Sequence, residues 1–203
     1  MGRPGGTDMK PASLARRRCL ADLGAACVVL AAAPSLAWAQ SVDPATAAPA
    51  EVASTLTGAR LQGQLRFRWF GLHIYDARLW SRERVASDDY AGREFALELQ
   101  YARSLAGSAI AERSIDEMRK LDAVNEAQAT AWLAAMRAAF PDVQAGERIT
   151  GRHRPGQGAS FYFNGRATRE IADSEFARLF FGIWLSPRSG SASQRAALLG
   201  QPA

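Results

Sequence analysis

Phe95-Ala96-Leu97-Glu98-Leu99-Gln100-Tyr101-Ala102-Arg103 decides the fold. Its residues alternate with a period of two, as a β-strand with one face on a core requires. Phe95, Leu97, Leu99 and Tyr101 make the apolar face, against Glu94, Ala96, Glu98 and Gln100 on the other. Arg103 is the next position on the apolar face. A guanidinium stays charged and is costly to bury without an anion. Three readings are open: the strand ends first and Arg103 is solvated, it meets an internal carboxylate, or it faces a cleft and receives an external anion.

Towards the N-terminus, residues 64–80 are dense in aromatic and apolar side chains, among them Phe67, Trp69, Phe70, Ile74, Tyr75 and Trp80. Gly71 marks a bend or bulge between two strands or strand halves. Residues 82–93 are charged, contain Asp88, Asp89 and Gly92, and read as a loop.

Towards the C-terminus the spacing turns helical. Residues 108–121 fit one helix and 125–140 a second, whose stripe is Ala129, Trp132, Leu133, Met136 and Phe140. Asn125 is a suitable N-cap and Pro141 a stop. Residues 147–154 and 159–164 read as strands. Asn164-Gly165 is a two-residue hairpin signal, with 166–171 as the return strand. Asp173 or Ser174 caps a helix through Trp184, and a short one follows over 193–199. Segregated runs of strands and helices predict an α+β fold: a large antiparallel sheet covered on one face by helices.

The first 39 residues read differently. A basic segment (Arg3, Lys10, Arg16, Arg17, Arg18) precedes an apolar stretch of 14 residues, 23–36, and Ala37-Trp38-Ala39 is a small-x-small cleavage site. These are the parts of a signal peptide. The stretch is short for a membrane span, which needs about 20 residues. Arg16-Arg17-Arg18 also resembles a twin-arginine signal. The expectation is export to the periplasm, a flexible leader over 40–54, one domain over 55–203, and no transmembrane segment after cleavage.

Export changes the bulk reading. The chain has 25 Lys+Arg and 20 Asp+Glu, but residues 1–39 take five of the basic and two of the acidic ones, leaving 20 and 18. A nucleic-acid partner loses its support. Cys19 and Cys27 leave too, so the mature chain has no disulfide and no thiolate site.

Candidate chemistry is sparse. Arg66 and Arg68 flank Phe67, and either could share a space with Arg103. Tyr75 and Tyr101 offer phenol groups to an oxyanion, or pack their rings. His73 and His153 carry no carboxylate motif, so no metal site is expected. Pro155-Gly156-Gln157-Gly158 lacks the lysine of a phosphate loop, no serine elbow occurs, and no cofactor is expected.

Four blocks in order carry a resemblance. They are Gly63-x-x-Arg66-x-x-x-Phe70 with Ile74-Tyr75-Asp76-Ala77-x-Leu79; Phe95-x-Leu97-x-Leu99-x-Tyr101-x-Arg103; Trp132 through Phe140-Pro141-Asp142-Val143 with Gly146-Glu147; and Phe161-Tyr162-Phe163-Asn164-Gly165 with Phe180-Phe181-Gly182-Ile183-Trp184-Leu185-Ser186-Pro187. Together they resemble the bacterial chalcone isomerase-like family over roughly residues 55–200. The resemblance implies an open-faced β-sandwich. Plant members close a chalcone to a flavanone, with an arginine on the oxyanion; fatty-acid-binding members hold a carboxylate with an arginine and a tyrosine. It implies Arg66 as the early cleft arginine and Arg103 as the arginine after the central strand. The plant Tyr–Lys–Asn cluster has no counterpart, since Lys120 is the sole lysine after the signal. The expected function is therefore binding of a small hydrophobic or aromatic acid by Arg66, Arg103, Tyr75 and Tyr101. The alternatives are an intramolecular lyase or isomerase acting on a phenolic enone, and a non-catalytic envelope protein.

Overall fold

A computed structural model describes residues 47–201. The expected signal peptide and the first part of the expected leader, residues 1–46, lie outside the described residues. Six strands form one sheet in chain order: β1 (Arg60–Trp69), β2 (Leu72–Ser81), β3 (Phe95–Tyr101), β4 (Arg148–Arg154), β5 (Gly158–Phe163) and β6 (Arg166–Ile171). Every neighbouring pair is antiparallel. The helices are α1 (Ala50–Thr55), α2 (Gly107–Leu121), α3 (Glu126–Ala139), α4 (Ser174–Leu185) and α5 (Ala192–Leu198). This is the expected α+β architecture. Among the described residues no helix is long and apolar enough to cross a membrane.

The alternation in β3 settles which face carries the core. Phe95, Leu97, Leu99 and Tyr101 are all buried in one cluster with Ile115 and Met118 of α2 and Leu179 and Phe181 of α4. Phe161, Phe176 and Phe181 are fully buried there. Each contributes about 1.5–3 kcal/mol of transfer free energy. The caps follow the sequence. Asn125 and Gln128 form a reciprocal capping box on α3. The Asp173 carboxylate accepts from the Glu175 and Phe176 amides to start α4, and from Trp132 Nε1 at 2.8 Å.

The opposite face departs from expectation. Residues 50–54, read as flexible leader, belong to α1. Its Val52, with Leu56 just after the helix, buries against Trp80 and Ala96 of the sheet. Its Glu51 side chain, 1% exposed, receives Arg148 Nε and Nη2 at 3.0 Å each and Thr150 Oγ1 at 2.8 Å. A composition rich in Ala and Pro hides this helix, because what holds it is a buried ion pair to a strand about a hundred residues away. Glu98, on the polar side of the β3 alternation, is likewise buried, between Arg78 at 3.0 Å and Trp80 Nε1 at 2.9 Å.

Two hairpins have two-residue loops. Asn164 (φ 48°) and Gly165 (φ 86°) join β5 to β6 as expected. Phe70 (φ 45°) and Gly71 (φ 79°) join β1 to β2, so the predicted bend at Gly71 is a complete hairpin turn. A register shift between Phe67 and Arg68 precedes it. Gly63 admits α5 against β1: a Cβ there would lie 2.4 Å from the Ala197 and Leu198 carbonyl oxygens.

Candidate binding cleft

An open cleft of about 630 Å³ lies between the sheet and helices α2 and α4. Its sheet wall is built by register. Phe67 of β1 stands opposite Tyr75 of β2, which stands opposite Tyr101 of β3. The three rings make a ladder across the strands, stacked at 4.9 Å between the first pair and edge-on at 6.0 Å between the second. Such cross-strand aromatic pairs stabilise a sheet face. Ile110 of α2 with Phe180, Ile183 and Trp184 of α4 supply the opposite wall.

Two phenol hydroxyls break the apolar sheet wall. Tyr75 Oη accepts from Trp184 Nε1 at 3.0 Å, and burial pushes its pKa up to about 12. Tyr101 is 3% exposed, and burial pushes it higher still. Both phenols are protonated at neutral pH and can donate. Among the described residues the Tyr101 hydroxyl has no hydrogen-bond partner. The residue is buried, but its hydroxyl oxygen opens to the cleft. A ligand oxygen in the cleft would satisfy it.

The charged groups come mostly from α2. Arg113, Glu117 and Lys120 line the cleft at helical spacing, with Arg113 and Lys120 at 2.5 and 2.8 Å from the one Glu117 carboxylate. Arg113 also lies over the Trp69 ring, 5.2 Å from its centre. Arg68 lines the same cleft and donates to the Gly71 carbonyl at 3.2 Å. The cleft lining thus holds three cations against one carboxylate, and the surplus is positive.

Of the four residues singled out in the sequence, Tyr75 and Tyr101 meet in the cleft, whereas Arg66 and Arg103 do not line it. Arg66 has the parity opposite to Leu65 and Phe67. It donates through Nε to Asp76 at 2.8 Å and through Nη2 at 3.4 Å. Burial opposes ionisation of Asp76, but Arg66 and His73 together outweigh it and hold the carboxyl below its ordinary value. Arg103 is exposed beyond the end of β3. Tyr101 is the last strand residue because its amide donates to the Glu147 carbonyl and its carbonyl accepts from Gly146, both at 2.8 Å. Beyond it the chain turns into α2, so the period of two no longer applies at Arg103.

Sequence reasoning missed Arg113, Glu117 and Trp184. A signal was present: Ile110, Arg113, Glu117 and Lys120 step by three and four along one side of a helix. Arg68, which the sequence offers beside Arg66 as sharing a space with Arg103, lines the cleft, whereas Arg66 does not. His153 is a core residue. Its Nδ1 lies 2.6 Å from the Arg93 carbonyl oxygen, its ring stacks on Phe95, and burial pushes its pKa down.

Comparison with known proteins agrees with this architecture. A profile described as chalcone isomerase-like matches residues 55–200. An uncharacterized protein of Haemophilus influenzae is 27% identical over 139 residues, spanning 68% of this chain and 67% of its own. The crystal structure of a fatty-acid binding protein from Arabidopsis thaliana shares the fold, with a TM-score of 0.53 at 12% identity over 71% of this chain and 88% of that one. The profile match covers most of the chain and every strand: the protein belongs to the chalcone isomerase-like family.

Proposed function

We propose that the protein binds a small amphipathic anion, a fatty or aromatic acid, in the cleft between the sheet and helices α2 and α4. The single observation that carries this reading is the Tyr101 hydroxyl, a donor with no partner among the described residues that opens into a cleft whose cations outnumber its carboxylates. The tail of the acid would lie along Phe67, Phe180 and Ile183, and its carboxylate would reach Tyr101 or the Arg68–Arg113 side. The volume of about 630 Å³ falls within the range of about 300–1,000 Å³ usual for small-molecule sites. The fatty-acid binding protein of the same fold lends support. The signal-peptide pattern of residues 1–39 supports placing this binding in the periplasm.

The test is calorimetric titration of the purified protein with saturated fatty acids and with cinnamate-like aromatic acids. Binding is expected, weakened about tenfold in Tyr101→Phe and again in Arg113→Ala, the low end of a charge-assisted or buried hydrogen bond. No heat from any acid at millimolar concentration, with no acid co-purifying by native mass spectrometry, would overturn the reading. Protein of the periplasmic fraction should begin near Gln40; recovery of the uncleaved chain in the membrane fraction would overturn the export reading.

A further inference from the structure

The exposed large apolar side chains among the described residues are three, Trp69 at 49%, Phe70 at 90% and Leu72 at 54%, and all three sit on the tip of the β1–β2 hairpin. Scattered single apolar residues on a surface carry no message, but a contiguous group does. This group is held in shape. Trp69 and Leu72 are the last paired residues of the hairpin, and the Trp69 and Phe70 rings meet edge-on at 5.0 Å. Phe70 occupies a left-handed backbone position that disfavours bulky residues, and its side chain is almost wholly exposed.

The surroundings are cationic. Arg113 lies over Trp69 with its side chain 54% exposed, and Arg68 is exposed one residue before it. Arg68 has no carboxylate partner among the described residues. Aromatic side chains beside arginines suit the headgroup layer of an anionic bilayer, where rings sit at the polar–apolar boundary and guanidinium groups meet phosphate. A second copy of this chain fits less well. Three side chains at one hairpin tip fall far short of the roughly 800 Å² per partner of a stable interface.

We infer that the tip from Trp69 to Leu72 docks the protein on an anionic lipid surface. Arg68 and Trp69 also line the cleft, so docking places the cleft mouth at the bilayer. The inference stands on the tip alone and does not need the cleft to hold an acid.

The test is co-sedimentation of protein purified after expression of the full chain, with vesicles of phosphatidylglycerol and phosphatidylethanolamine against vesicles of phosphatidylcholine. The informative variant is Phe70→Asn. It installs the residue that the same chain uses at the matching position of its other hairpin, and Phe70 does not line the cleft. Wild type is expected on anionic vesicles, at least fivefold less on phosphatidylcholine, and released by high salt. Phe70→Asn is expected to lose at least fivefold of the bound fraction while keeping its circular dichroism. Brominated lipid should quench tryptophan emission in wild type and much less in Trp69→Phe. Equal sedimentation of wild type and Phe70→Asn, no sedimentation of either, or a Phe70-dependent dimer in sedimentation velocity without vesicle binding would each overturn it.

Discussion

The Asn164-Gly165 and Phe70-Gly71 hairpins solve one backbone problem with different residues. Both need positive φ at two successive positions, and both obtain it, with φ of 48° and 86° in one and 45° and 79° in the other. The first is tied to the body. Asn164 Oδ1 accepts from the Arg148 amide at 2.9 Å, and Asn164 Nδ2 donates to Glu147 at 3.1 Å. A Cβ at Gly165 would lie 3.3 Å from the Glu51 carboxylate. The second projects, with Phe70 at 90% exposure. Where the turn serves the fold, the residue is the one the turn prefers. Where it carries a phenylalanine, folding does not explain the choice, and contact with something outside the chain does.

The strongest way to break this contrast is to cut the tie beneath the first hairpin. Burial alone would raise the Glu51 carboxyl, but the hydrogen bonds from Arg148 and Thr150 more than offset it and hold it below its ordinary value. Glu51→Gln leaves Arg148 without its anion. The expected loss is about 3 kcal/mol, the low end for a broken buried pair because Arg148 is 29% exposed. Urea unfolding measures it. The sign with pH follows from the lowered pKa. The carboxylate contributes its stability above the ordinary glutamate range and loses it as pH falls through the folded value. The gap between wild type and Glu51→Gln should therefore narrow on acidification below about pH 4. A gap that stays constant with pH would mean that the pair does not hold α1 to the sheet.

How much of this was legible follows the same division between local and distant causes. The β3 alternation, the Asn164-Gly165 turn and the Asn125 and Asp173 caps depend on neighbours within a few residues, and the sequence displays them. The first turn of α1 depends on Arg148, and the end of β3 depends on Gly146 and Glu147, so neither is written nearby. The cleft divides likewise. Tyr75 and Tyr101 share strand parity with core residues, and both line the cleft. Arg66 is picked out by the resemblance, yet alternation sets it opposite to Leu65 and Phe67; Arg103 falls beyond the strand end, where the period of two stops; Arg68, offered beside Arg66, is the arginine of the pair that lines the cleft. At Phe70-Gly71 the sequence offers a bend or bulge between two strands or strand halves without choosing, since phenylalanine is not a residue that such turns advertise.

A milder test acts on the tied hairpin itself. Asn164→Ala keeps the left-handed position but removes the amide that suits it and the bonds to Arg148 and Glu147. The expected cost is about 1–2 kcal/mol. Amide exchange in β5 and β6 should quicken, while β1 and β2 keep their protection. Equal loosening of both hairpins would erase the distinction between a tied and a free turn.

The smallest effect is the most discriminating. Phe70→Asn gives the projecting turn the residue of the tied one. If Phe70 has no part in holding the fold, the change relieves a left-handed phenylalanine and loses only one edge contact with Trp69. Stability should then rise by about 0.5–1 kcal/mol. Thermal unfolding at matched pH measures it, and the sign matters more than the size. A loss beyond about 1 kcal/mol would mean that the ring is packed against the body in solution, and the tip would no longer be a free apolar surface. A gain means that the native residue makes the protein less stable than its own other hairpin shows it could be. A turn kept at that cost is best explained by what it touches outside the chain.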